Sequence, residues 1–249
     1  MRRPQGLILD DVEERVALLT RAMRQAGLSG AAVARDGRKA LALAARESFR
    51  VVVVGTRLSG MDGLTTLRHL RRSADAPVFV LAEPETAEEA LDGISLGADA
   101  CLCAGRDGRW SERRTVEALH ATMTGRPPIT WRWRGSGIGT EIGIVSLEGG
   151  RIASLLGRLR DLEPGPDAAL FIRTDLPAWM IPATADRLHQ MTAWRVLRAQ
   201  AGDLLAPRHA LIASNEDDIR LELDARRPRL VADEAVGGAW SPAECGRLT

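Results

Sequence analysis

The chain has little of what a disulfide scaffold, a zinc site or a membrane span requires. Its three cysteines, Cys101, Cys103 and Cys245, form neither a CxxC pair nor an even set, which argues against a disulfide framework and a structural zinc site. Its apolar runs are far shorter than the roughly 20 residues that a membrane-spanning helix needs. No signal-peptide core is visible either. We therefore expect a cytoplasmic protein without a targeting segment.

The chain also lacks an excess of positive or negative charge. The 34 basic and 33 acidic residues are interspersed and leave a formal net charge of +1, so no broad basic surface marks a nucleic-acid or anionic-membrane partner. Lys39 is the only lysine, and every other basic residue of this group is arginine. The length of 249 residues favours two domains.

The first half of the chain alternates short apolar segments with amphipathic helical patterns. This alternation predicts an α/β fold with a five-stranded, doubly wound parallel sheet in residues 1–123. In the first helix, Val12 and Val16 recur at core spacing with Leu19 and Met23, and Asp11 is expected to begin it as part of a capping box. The predicted strands are residues 7–9, 31–34, 51–54, 78–81 and 100–103.

Residues 124–141 are rich in glycine and proline and are predicted to be a linker, to which Trp131 and Trp133 add aromatic area for packing against a domain. A second alternation follows in residues 142–249. It predicts strands at 142–146 and 168–174, helices at about 150–162 and 183–191, and shorter strands near Val196, Leu211, Leu221 and Leu230.

Two acids, Asp10 and Asp11, follow the first predicted strand. Ligands of doubly wound sheets bind at the carboxyl ends of the strands, and paired carboxylates there suit Mg²⁺. A helix cap with a solvated second acid is the alternative interpretation. The pattern resembles the response-regulator receiver domain over about half of the chain; the segments that carry the resemblance are 10–11, 51–54, 61–63 and 96–99.

In receivers, an aspartate after the third strand accepts a phosphoryl group, a threonine or serine follows the fourth strand, and a lysine follows the fifth. Carried over to this sequence, the resemblance assigns these roles to Gly55, Ala82 and Ala104, none of which has the required side chain. Thr56 is uncharged and would need an activating base, and neither Lys39 nor Arg106 replaces the lysine. We therefore expect no phosphorylation site and no cofactor, with weak Mg²⁺ binding as the open alternative.

The second half, in residues 142–150, 169–174 and 202–213, resembles the catalytic domain of CheB-type protein-glutamate methylesterases. That family places a receiver in front of a catalytic domain with a Rossmann-like α/β fold. Its domain acts through a serine, histidine and aspartate triad. The resemblance assigns the serine to Leu147 and the histidine to Thr174, and no segment up to residue 249 matches the aspartate, so the domain is expected to be truncated as well as inactive.

Ser146 is the remaining candidate nucleophile. A shift of one residue along a strand reverses the direction of a side chain, and an alcohol still needs a base within hydrogen-bond reach. His189 and His209 are expected to be surface or packing residues, and no GxSxG motif stands at a strand-to-helix turn, where a nucleophile elbow would place it.

Three functions are compatible with these observations. The first is a catalytically inactive signalling protein that binds a histidine kinase, a chemoreceptor or an active methylesterase in a chemotaxis or two-component pathway. The second is a methylesterase or deamidase that acts on chemoreceptor glutamates or glutamines through unusual residues such as Ser146. The third is a small-molecule sensor that uses the space left at Gly55.

Overall fold

A computed structural model describes residues 5–58, 61–72, 75–125, 127–135, 141–223 and 228–232. It divides into two compact units. The first comprises the described residues up to Thr130 together with Leu147–Asp161, and the second comprises Trp131–Ser146 and the described residues from Leu162 onward. The sequence-based boundary near residue 142 therefore differs from this division, which groups residues 147–161 with the first half of the chain.

The first unit is built on a parallel five-stranded sheet with the order β2-β1-β3-β4-β5. All four valines of the central strand β3 are fully buried, as expected for a parallel strand covered on both faces. The predicted sheet is thus confirmed. Its strands are β1 (Gly6–Leu9), β2 (Ala31–Ala34), β3 (Val51–Val54), β4 (Val78–Ala82) and β5 (Ala100–Cys103).

Among the described residues, six α-helices belong to this unit, and several begin at side chains that accept a hydrogen bond from a free backbone amide. Asp36 accepts one from Lys39 at 2.9 Å, and Asp62 accepts one from Thr65 at 3.2 Å. The helices are α1 (Glu13–Gln25), α2 (Gly37–Ala44), α3 (Gly63–Leu70), α4 (Ala87–Ser95), α5 (Glu112–Met123) and α6 (Ile152–Asp161).

The predicted start of α1 is wrong. Val12, not Asp11, is the N-cap residue, and no side chain caps the helix. Val12 is consequently 44% exposed and lies outside the core, whereas Leu19 and Met23 are fully buried, as expected. These two side chains belong to a core cluster that joins α1 and α5 to Ile8, Phe79 and other apolar residues on one face of the sheet.

The second unit contains a five-stranded sheet with the order β6-β7-β8-β10-β9 and a separate antiparallel hairpin of β11 and β12. Strands β8, β9 and β10 are parallel, and helix α7 (Ile181–Met191) lies between β8 and β9 in the chain. The strands are β6 (Ile129–Gly135), β7 (Glu141–Leu147), β8 (Ala168–Thr174), β9 (Arg195–Arg198), β10 (His209–Ser214), β11 (Ile219–Leu223) and β12 (Pro228–Ala232).

Strand β6 lies inside the segment that was predicted to be a linker, so that prediction is wrong for residues 129–135. The alternation of Trp131 and Trp133 with polar neighbours is a strand pattern, but flanking prolines and glycines obscure it. The two indole rings stack with centroids 6.5 Å apart. Residues 136–140 of the predicted linker lie outside the described residues. None of the helices among the described residues is long and apolar enough to cross a membrane.

Candidate functional site

The carboxyl ends of the strands in the first sheet bring four sequence-predicted positions together. Asp10 follows β1, Gly55 follows β3, Ala82 is the last residue of β4, and Ala104 follows β5. All four residues are buried. A Cβ atom added at Gly55 would lie 3.7 Å from the carboxyl carbon of Asp10, so the structure brings these two positions into contact distance.

The carboxylate of Asp10 is completely buried, and it is bound by a guanidinium group of its own chain. Nε of Arg15 donates to Oδ2 of Asp10, and Nη2 donates to Oδ1 at 2.8 Å. Oδ1 also accepts a hydrogen bond from the backbone amide of Val12 at 3.0 Å. Asp10 is therefore not a solvated acid, and each of its two oxygens has a donor.

Arg15 also reaches the segment after β4. Its Nη1 donates to Oε1 of Glu83 at 2.9 Å, and the same oxygen accepts from Nε1 of Trp110 at 3.2 Å. The guanidinium carbon lies 5.8 Å from the centre of the Trp110 ring, within cation–π range. Burial lowers the pKa of Arg15, but the hydrogen bonds and negative charges of Asp10 and Glu83 outweigh burial and raise it above its ordinary value.

A cavity of about 290 Å³ lies beside this ion pair. Gly55 forms part of its wall. Thr56 lines it too, and this residue is only 5% exposed. The lining residues are Arg15, Gly55, Thr56, Arg57, Leu81, Glu83, Glu85 and Thr86.

The positions assigned to a hydrolase triad are each buried in the fold. Thr174 is fully buried, and its hydroxyl accepts a hydrogen bond from the amide of Leu176 at 3.2 Å. Ser214, at the end of the neighbouring strand, donates to the carbonyl of Leu176 at 2.6 Å. Leu147, assigned to the serine position, is 1% exposed. Together Thr174 and Ser214 stabilise the turn that follows β8.

Ser146 is partly buried near the end of β7. Nδ1 of His189 lies 3.3 Å from the carbonyl oxygen of Trp194, and Nδ1 of His209 lies 2.9 Å from that of Pro207. In the part of the chain that the structure describes, neither imidazole hydrogen-bonds to Ser146.

Strand β5 contains two cysteines, of which Cys101 is buried. Burial raises the pKa of the Cys101 thiol to about 12, so it remains protonated at neutral pH. Cys103 is partly buried. Cys245 lies outside the described residues.

Comparison with known proteins identifies the first half of the chain. Residues 7–103 match the family model of the response regulator receiver domain. These residues form a receiver domain. A solved relative of this domain is the receiver domain of the Francisella response regulator 1452, which is 22% identical and covers 50% of this chain and 100% of its own, with a TM-score of 0.43.

The similarity to methylesterases extends beyond the receiver domain. The chain is 29% identical over 206 residues to protein-glutamate methylesterase/protein-glutamine glutaminase 6 of Anaeromyxobacter dehalogenans, covering 78% of this chain and 58% of that protein. For protein 5 of the same description from Myxococcus xanthus, the identity is 26% over 234 residues, with coverages of 87% and 67%. The chain spans about half the length of several curated relatives that it matches.

These findings confirm the resemblance to receivers and to CheB-type methylesterases. They show a receiver domain in residues 7–103 and a similarity to methylesterases that continues into the second α/β sheet.

The receiver family implies a divalent cation at the acidic edge of this sheet, and the side chains present do not fit one. Both oxygens of Asp10 are bound by Arg15, and Gly55 supplies no carboxylate. Within the described ranges, no group of three His, Cys, Asp or Glu side chains is arranged to hold a metal ion. Asp11, the second predicted ligand, is partly buried and has interactions of its own.

Sequence reasoning missed Arg15, Glu83 and Trp110. Arg15 precedes Leu19 by four residues and Ala22 by seven, which places it on the same face of α1 as these fully buried residues. A charged residue on the inner face of a helix, close to two acids, was the available signal. Glu83 and Trp110 gave no local signal, because their contact joins residues 27 positions apart in the sequence.

Proposed function

We propose that this chain is a cytoplasmic signalling protein whose receiver domain accepts no phosphoryl group and which acts by binding other signalling proteins. The observation that carries the proposal is Gly55, which stands directly after β3, next to Asp10, where a receiver has its acceptor aspartate. A glycine has no nucleophile, and phosphoryl transfer to the protein requires one.

The other positions support the same conclusion. Ala82 and Ala104 provide neither the hydroxyl group nor the ammonium group that a receiver uses around the phosphoryl group. In the second half of the chain, Leu147 and Thr174 provide neither the serine nor the histidine of a methylesterase. Without these groups, the folded domains can still act by binding other proteins. The proposed partners are a histidine kinase, a chemoreceptor or an active methylesterase.

Binding to purified partners tests this function. The full chain is immobilised, and each of the three candidate classes is passed over it with and without acetyl phosphate and Mg²⁺; an ordinary receiver with its aspartate serves as the positive control for the phosphodonor. We expect saturable binding to one class with the same Kd in both conditions. Absence of saturable binding to all three, or binding that appears only with acetyl phosphate, would contradict the proposal.

A second candidate function, a small-molecule sensor, is favoured by the cavity beside Gly55. Thr56 lines this cavity, and its hydroxyl group can donate or accept a hydrogen bond. Arg57 is held at the same cavity, because its Nη2 donates to Oε1 of Glu89 at 2.6 Å and to the carbonyl of Glu85 at 3.1 Å. A small polar ligand could use both groups.

A thermal-shift screen of nucleotides and small polar metabolites, with and without Mg²⁺, tests the sensor function. The matched control is Thr56→Val, which keeps the shape of the side chain and removes the hydroxyl group. A ligand of this cavity raises the Tm of the wild-type protein and has a weaker effect on the variant. If no compound raises the Tm, or if the variant responds equally, the sensor function is wrong.

A further inference from the structure

Three N–H groups of Arg15 are directed at three carboxylate oxygens from two different segments of the chain. Nε and Nη2 bind the two oxygens of Asp10, and Nη1 binds Oε1 of Glu83. Carboxylate oxygens converging on one positive charge are also what Mg²⁺ and Mn²⁺ require. The guanidinium group and a divalent cation therefore compete for the same oxygens.

Burial makes a counter-charge necessary at this point. The Asp10 side chain has no exposed surface and the Arg15 side chain is only 11% exposed. An isolated carboxylate at such a site is strongly disfavoured, so some cation has to accompany it.

We propose that Arg15 is a built-in cation that occupies the place of the divalent metal ion in this receiver domain. A guanidinium group attached to the same chain is present at an effective concentration well above that of a dissolved ion, because only its side-chain rotamers have to be fixed. Millimolar Mg²⁺ therefore does not displace it. The receiver domain is held in a metal-free state by its own sequence.

The surroundings of Arg15 fix the guanidinium group in this position. The Trp110 ring lies at cation–π distance, and Nε1 of Trp110 shares Oε1 of Glu83 with Arg15. The guanidinium group thus connects the end of β1, the segment after β4 and the residues just before α5. These three segments are joined without a metal ion and without a phosphoryl group.

This inference concerns the cation site alone, and it stands whether or not a signalling partner is found. It predicts a gain of function. Removal of Arg15 leaves Asp10 and Glu83 facing each other without their shared cation, and one or two carboxylates with several waters form an ordinary Mg²⁺ or Mn²⁺ site.

The test is a Mn²⁺ titration of the full chain, followed by the electron paramagnetic resonance signal of free Mn²⁺. We expect no saturable binding to the wild-type protein or to Arg15→Lys, which keeps a positive charge. Arg15→Ala is expected to bind one Mn²⁺ at least about tenfold more tightly than the wild type, because two carboxylates become available. Arg15→Ala combined with Asp10→Ala is expected to lose this binding.

Circular dichroism establishes that each variant is folded, and Arg15→Gln, which is neutral and of similar size, replaces Arg15→Ala if the latter does not fold. A second readout is the Tm, which Mg²⁺ should raise for the neutral variant and leave unchanged for the wild type. Saturable Mn²⁺ binding by the wild-type protein overturns the proposal. So does a folded neutral variant that binds no more Mn²⁺ than the wild type.

Discussion

The carbonyl oxygen of Gly150 accepts a hydrogen bond from the backbone amide of Cys101 at 2.9 Å. This contact attaches the segment before α6 to β5, the edge strand of the first sheet, at a distance in which no side chain fits. The ideal Cβ atom of a residue at position 150 would overlap the carbonyl group of Cys101. The paired glycines that resemble a hydrolase turn in the sequence therefore have a structural role in the first unit.

Three glycine substitutions separate backbone strain from close contact. Gly149 and Gly150 have φ values of 70° and 62°, and a side chain in this region costs about 1 kcal/mol. We expect Gly149→Ala to destabilise the protein by about that amount. Gly150→Ala should cost about 2–4 kcal/mol, because the new methyl group also displaces β5.

The matched control is Gly157→Ala in the middle of α6, where no atom lies within 4 Å of the added Cβ and alanine should stabilise the helix by about 0.5–1 kcal/mol. Urea denaturation of the three variants measures these differences. Equal losses for Gly149→Ala and Gly150→Ala would show that the contact with Cys101 has no energetic weight.

The buried ion pair of Asp10 and Arg15 should contribute strongly to stability. Asp10→Asn removes the charge that compensates Arg15 at a site where both side chains are buried, and the expected loss in the free energy of unfolding is about 2–4 kcal/mol. Urea denaturation measures this change.

Arg113 provides the comparison, since it forms an ion pair of 3.3 Å with Glu117 in which the two side chains are 80% and 60% exposed. Arg113→Ala is expected to change stability by less than about 0.5 kcal/mol. A similar effect of the two substitutions would contradict the special role of the Asp10 site.

Cys101 should make the protein sensitive to alkaline pH. Burial raises the folded-state pKa of the Cys101 thiol to about 12, above the pKa of a thiol in the unfolded chain. The contribution of this thiol to the free energy of unfolding is therefore fully present below the unfolded pKa. It is lost as the pH rises from the unfolded pKa toward 12. In this window the free energy of unfolding should fall by up to about 1.4 kcal/mol per pH unit.

Few other side chains titrate in this pH range, because the chain has no tyrosine and Lys39 is its only lysine. Cys101→Ala should therefore flatten the dependence of urea midpoints on pH above about 9. An unchanged slope in this variant would assign the effect to other groups.

The methylesterase alternative predicts that methanol is released from methylated chemoreceptor in a reaction that depends on Ser146. We expect no release above background, and Ser146→Ala should match the wild type, because no imidazole lies within hydrogen-bond reach of this hydroxyl among the described residues. An active methylesterase serves as the positive control. Release that disappears in Ser146→Ala would establish an enzyme.

The sequence predicts elements well where a local pattern determines them. Strand β8 has the predicted bounds, because seven buried residues form an uninterrupted run between polar turns. Strand β6 was missed, since its alternation is short and lies between prolines and glycines. The Arg15 site was missed for two reasons. A charged residue is normally expected on the outer face of a helix, whereas Arg15 lies on the inner face of α1. Its partners Glu83 and Trp110 come from distant parts of the chain. Such contacts depend on the tertiary fold, which single-sequence patterns do not contain.

Incubation of the full chain with acetyl phosphate and Mg²⁺, followed by intact-protein mass spectrometry, tests the central claim most directly. A receiver domain with Gly55 after β3 and Arg15 on Asp10 should show no mass increase, while an ordinary receiver treated in parallel gains one phosphoryl group. A stoichiometric phosphoryl group on this chain, mapped to a residue at the carboxyl edge of the first sheet, would contradict the account.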